Sequence, residues 1–138
     1  MAYAGDVTAQ QAWKDLSSDS RAALIDVRTP AEWSFVGTAD LSSLGKKTLR
    51  IAWQAYPGMA LNPKFAEEVA RAGLPKDAAL FFICRSGARS RAAAEALTAQ
   101  GYRRCYNVAD GFEGPHDGEG HRGRLAGWKA SGLPWTQE

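Results

Sequence analysis

A chain of 138 residues with 45% hydrophobic and 23% charged side chains has the balance of one compact globular domain, and it excludes disordered and fibrous classes. The formal net charge is only +2, and its basic residues fall in short scattered groups, so a nucleic-acid-binding surface is not expected. No stretch approaches the roughly 18 apolar residues of a membrane span, and two cysteines are too few for a disulfide scaffold; a cytoplasmic protein with free thiols is the expectation.

Thr8 followed three places on by Gln11 resembles a helix-capping pair. Ala9, Ala12, Trp13 and Leu16 then recur at helical spacing, which predicts a helix over 8–18. The apolar run 22–27, ended by Arg28-Thr29-Pro30, reads as a buried parallel strand feeding a loop. Pro30 and Glu32 favour a short helix over 31–35. Residues 41–45 read as a connector, and 48–53 alternate in the manner of a strand. Asn62-Pro63 marks a helix start, and Gly73 with Pro75 a stop, giving a helix over 63–72.

The most apolar run is 78–83, which predicts a central strand buried on both faces. Residues 91–100 are rich in alanine and leucine and end at Gly101, so a helix is expected there. A strand over 105–108 and a last helix over 125–130 complete the pattern. This alternation implies an α/β fold, a parallel sheet with helices on both faces joined by right-handed crossovers.

Ligands of open α/β sheets bind beyond the carboxyl ends of the strands, and Cys84 follows the most buried strand directly. The segment Arg85-Ser86-Gly87-Ala88-Arg89-Ser90 then leads into a helix. Small residues at 86, 87 and 88 allow successive backbone N–H groups to turn inward at a helix N-terminus, a setting that stabilises a thiolate. Cys84 is therefore the expected nucleophile, and Arg85, Ser86, Gly87, Ala88, Arg89 and Ser90 are the expected substrate-binding loop. The plainer view, that Cys84 is one more buried apolar side chain, leaves the flanking arginines without a purpose.

The loop from Cys84 to Ser90 resembles the active-site loop of rhodanese-like sulfurtransferases. Leu24 to Arg28 with Glu32-Trp33 resembles that family's early strand and turn, and Asn107-Val108 through Gly111-Phe112, then Gly127-Trp128 to Trp135, resembles its closing segment. The likeness covers about residues 8–136 and implies a five-stranded parallel sheet and a single domain. It also implies a reaction through a persulfide on Cys84: a small sulfur-bearing anion such as thiosulfate is the donor, and a thiol, cyanide or another protein is the acceptor. No metal or organic cofactor is implied. The family's usual Gly-His-Ile-Pro-Gly segment is replaced here by residues 35–40, and 41–61 reads as a longer insertion.

A cysteine phosphatase uses the same strand-loop-helix device with arginine six residues after the cysteine. That position is Ser90, with Arg89 one residue early and Arg91 one late, so the phosphatase is the secondary expectation; a non-catalytic binding module is the third. Asp26, Arg28, Trp53 and Phe112 are candidates for the pocket wall, although an ion pair is an equal reading of Asp26 and Arg28. Cys105 reads as a structural thiol. His116 and His121, with Asp117 and Glu119, lack a settled ligand spacing and read as a solvated loop.

Overall fold

The structure is a computed structural model, and it describes residues 3–55, 60–114 and 126–137. Five parallel strands form its sheet: β1 (Gly5–Val7), β2 (Ala23–Asp26), β4 (Leu49–Arg50), β7 (Ala79–Ile83) and β8 (Arg104–Val108), in the order β1-β8-β7-β2-β4. Two small antiparallel pairs lie outside it, β3 (Thr38–Ala39) with β9 (Trp135–Thr136) and β5 (Gln54–Ala55) with β6 (Ala60–Leu61). The helices are α1 (Ala9–Ser18), α2 (Pro30–Val36), α3 (Phe65–Arg71) and α4 (Ala88–Ala99). No helix among the described residues is long and apolar enough to cross a membrane.

Strand β7 is buried along its whole length, as its unbroken apolar run requires. Its pleat sends Leu80 and Phe82 to one face, where Phe65 and Val69 of α3 and Ala93 and Leu97 of α4 cover them. Ala79, Phe81 and Ile83 face the other way, toward Ala9, Ala12 and Leu16 of α1 and toward Trp128. Each fully buried phenylalanine contributes about 1.5–3 kcal/mol. Both edge strands are short, which limits the backbone left open to pairing with another chain.

Local signals account for the helix starts. The Thr8 hydroxyl accepts the Gln11 N–H, and Thr29 and Glu32 form a reciprocal capping box around Pro30. Asn62 makes a side-chain turn, its Oδ1 accepting the Lys64 N–H, so α3 starts after Pro63 instead of on it.

Four expectations are corrected. The sheet starts before residue 8: Gly5–Val7 pairs with Tyr106 to Val108, a short strand without an apolar run. Only Leu49–Arg50 of the 48–53 strand joins the ladder. Helix α4 starts at Ala88, three residues early, with Gly87 as its N-cap. The last helix, over 125–130, is replaced in its described part by turns, with the Ser131 N–H on Gly127 O and the Gly132 N–H on Lys129 O. Gly127 at φ 103° breaks a helical path there, and a Cβ on it would lie 2.9 Å from Gly114 N.

Candidate functional site

Where β7 ends, its neighbours hold the following loop by backbone hydrogen bonds. Val27 N–H donates to Ile83 O and Phe112 N–H to Cys84 O, while Glu113 N–H and Gly114 N–H both reach Arg85 O. So close an approach demands glycine at Gly111, because a Cβ there would lie 2.3 Å from Arg85 O. The loop is therefore fixed from both sides before any side chain is considered.

Cys84 Sγ accepts the Gly87 N–H at 3.1 Å and lies 3.2 Å from Ser90 Oγ. The early start of α4 brings its positive end to the sulfur, and Ser90 falls in its first turn, fully buried. Arg85, Ser86 and Ala88 are exposed on the outer side of the loop. Cys84 itself is 1% exposed, so the thiol read from the sequence as the nucleophile is closed over in this structure.

Arg89 meets Glu32 of α2 in a two-pronged salt bridge, Nη1 to Oε1 at 2.6 Å and Nη2 to Oε2 at 2.9 Å. Burial pushes the Glu32 carboxyl up, but the Arg89 guanidinium and the Thr29 N–H outweigh it and hold Glu32 below its usual range. The Glu32 hydrogen bonds in turn hold Arg89 above its ordinary value against burial, with the Glu32 charge, Cys84 and Asp26 adding to the effect. Glu32 thus caps α2 and ties that helix to the cysteine loop.

Asp26 and Arg28 form a fully buried ion pair, with Arg28 Nη2 2.6 Å from Asp26 Oδ2 and Nε 2.9 Å from Oδ1. Nη2 also donates to Gly37 O, and the guanidinium lies 4.4 Å from the centre of the Phe112 ring. Phe112 is fully buried, and Trp53 packs edge-on against Phe65 at 5.1 Å. Of the pocket-wall candidates, Asp26, Arg28 and Phe112 therefore sit as a buried layer, and Trp53 lies against the α3 side of the core.

Cys105 is fully buried and its thiol is pushed up to about 11 by burial. Tyr56 and Met59 of the insertion, and His116, Asp117, Glu119 and His121, lie outside the described residues. Asp6 and Asn107 belong to the site although no motif points to Asp6: Ser90 Oγ lies 2.6 Å from Asn107 Oδ1, and Asn107 Nδ2 donates to Asp6 Oδ1. Their only local signal is polar residues inside strands, where apolar ones are the rule.

A parallel five-stranded sheet that delivers a cysteine into a short loop, closed by the N-terminus of the next helix, defines a rhodanese-like domain. The chain belongs to the rhodanese-like family, and the family model that matches residues 4–138 is the STR4 middle domain. RC0915 of Rickettsia conorii is 37% identical over 131 residues, covering 94% of this chain and 95% of that protein. A protein of Allochromatium vinosum named sulfurtransferase is 31% identical over 111 residues, 80% of this chain and 75% of its own length. The crystal structure of Rv0390 from M. tuberculosis superposes with a TM-score of 0.90 at 50% identity, over 99% of this chain and 100% of that one.

Proposed function

We propose that this protein is a sulfurtransferase in which Cys84 carries a sulfane sulfur. The Sγ of Cys84 attacks the outer sulfur of a donor such as thiosulfate, a new S–S bond forms, and sulfite leaves with the electron pair of the broken bond. An acceptor thiol, cyanide or protein cysteine then attacks the outer sulfur, and the pair of the Sγ–S bond returns to Cys84. Neither step calls for a metal or an organic cofactor. A reducing compartment such as the cytoplasm suits the two free cysteines.

The observation that carries this reading is the Gly87 N–H on Cys84 Sγ at the first turn of α4, a donor aimed at the atom that becomes negative. The relative named sulfurtransferase supports the same chemistry. A phosphatase would need arginine where Ser90 stands, and here that hydroxyl lies against the sulfur while Arg89 is engaged by Glu32. Because Cys84 is buried, loading requires the side chains above it to part, so persulfide formation is expected to be slower than reaction of an exposed thiol.

Intact mass before and after thiosulfate, on wild type and on Cys84→Ser, tests the proposal. A gain of one sulfur atom on wild type alone is expected. No gain on wild type under prolonged incubation overturns it, and phosphate release from an aryl phosphate would favour the phosphatase.

A further inference from the structure

Ser90 has one hydroxyl proton and three acceptors around it. Its Oγ lies 2.6 Å from Asn107 Oδ1, 3.2 Å from Cys84 Sγ and 3.2 Å from Gly87 O. Which of them receives the proton is settled on the neighbouring strands. Asp6 and Asn107 are register partners on β1 and β8, which places both side chains on one face of the sheet. Asn107 Nδ2 is 3.0 Å from Asp6 Oδ1, and the Tyr3 hydroxyl is 2.6 Å from the same oxygen.

Tyr3 holds the Asp6 carboxyl below its usual range, with burial opposing and Asn107 and Arg91 assisting. An ionised carboxylate only accepts hydrogen bonds, so it draws the NH₂ end of the Asn107 amide. The oxygen end must then face Ser90, and an oxygen there takes the Ser90 proton. What Ser90 turns toward Cys84 is a lone pair.

A lone pair facing Sγ suits a thiol, whose S–H can donate to it. It burdens a persulfide less than a thiolate, because a persulfide's charge sits on the outer sulfur. It opposes a thiolate at Sγ. Swinging the Ser90 proton onto a thiolate would strip Asn107 Oδ1 of its partner in a side chain only 3% exposed, and a buried acceptor left unpaired is costly. The other charges that bear on the sulfur are Arg89 on α4, Glu32 on α2, which binds it, and Asp26 at the end of β2, while Arg91 stands beside Tyr3.

We infer that Asp6 and Asn107 are positioning residues that hold the Ser90 proton off Cys84 Sγ, favouring the thiol and the loaded persulfide over the bare thiolate. The persulfide half of this statement rests on the sulfur-transfer reading, since unloading expels Cys84 as a thiolate. The thiol half stands without it.

The test is the pH profile of iodoacetamide alkylation at Cys84, followed by mass, in a cycle of Asn107→Leu and Ser90→Ala. Asn107→Leu changes no charge and releases the Ser90 proton to the sulfur. Its profile should move to lower pH by about one unit, about a tenfold faster rate on the acid side, equivalent to about 1.4 kcal/mol. In the Ser90→Ala background the same substitution should move the profile by less than a third of that. Equal shifts in the two backgrounds, or none in the first, overturn the inference.

Asp6→Ala, at an exposed residue, gives a second route should leucine not fit beside Ser90; it should shift the profile the same way, and more with Ser90 present than absent. An equal shift in both backgrounds would make Asp6 a mere charge and likewise overturn the role given to it. In persulfide-loaded protein, Asn107→Leu should release sulfur to a thiol acceptor several-fold faster. Failure of wild type to load at all would refute the sulfurtransferase reading, while the alkylation profiles would still decide this one.

Discussion

Gly87→Ala is the sharpest test of how the cysteine loop is built. Gly87 sits at φ 108°, outside the region that L side chains adopt readily, and a Cβ there would lie 2.4 Å from the carbonyl oxygen of Ala109. The next nearest atoms, Ala109 C at 3.1 Å and Cα at 3.3 Å, are also backbone, so no side chain can rotate away to make room. Backbone strain of about 1–2 kcal/mol and forced overlap of about 1–3 kcal/mol together give a loss of about 3 kcal/mol. For a domain of this size each kcal/mol lowers Tm by about 3–5 °C, so a drop of about 10–15 °C is expected. Gly45→Ala is the control, because Gly45 has φ 70° but nothing within 4 Å of a Cβ, which leaves strain alone and a drop of about 5 °C. Thermal unfolding followed by circular dichroism reads both. Melting of the two variants within about 2 °C of each other would refute the packing argument, since strain would then account for the whole effect.

The Glu32 carboxyl is held down in the folded state, so its contribution to stability is present above its unfolded value near 4.5 and is lost as pH falls through the lower folded value. Glu32→Gln should therefore cost about 1 kcal/mol at pH 7 and progressively less below pH 4.5, read by urea unfolding at several pH values; a constant difference across that range would contradict the sign. Cys105, with its thiol pushed up to about 11 by burial, should resist alkylation at neutral pH in the folded protein and react only in denaturant, as peptide mapping of the labelled chain would show. Labelling of Cys105 in native protein at a rate comparable to a free thiol would contradict its burial.

Much of this molecule was legible before any coordinates. An unbroken apolar run marked β7, since a parallel strand covered on both faces needs apolar residues at every position, while β2 and β8 followed from the runs 22–27 and 105–108, each of which holds one polar residue, Asp26 and Asn107. Thr8 with Gln11, and Pro30 with Glu32, marked two helix starts because capping is settled within three or four residues. Cys84 and the small residues after it marked the loop for the same reason: strand, turn and helix N-terminus follow one another in the chain.

What had no local signature was whatever depends on partners far along the sequence. Strand β1 is three residues long and pairs with residues about a hundred positions away, so neither length nor periodicity reveals it. Glu32 and Arg89 are 57 residues apart, and the sequence reads one as a helix-start residue and the other as part of the substrate-binding loop, with nothing to mark them as partners. The near-complete burial of Cys84 and the path from Asp6 through Asn107 to Ser90 are settled by how the strands come side by side, whereas the Asp26–Arg28 ion pair, two residues apart, was already one of the two readings of those side chains. The sequence by itself determined where Cys84 falls and which elements flank it, because caps and apolar runs act over a few residues. Only the tertiary structure decided which polar and charged groups surround it, because those contacts exist only once distant strands have paired.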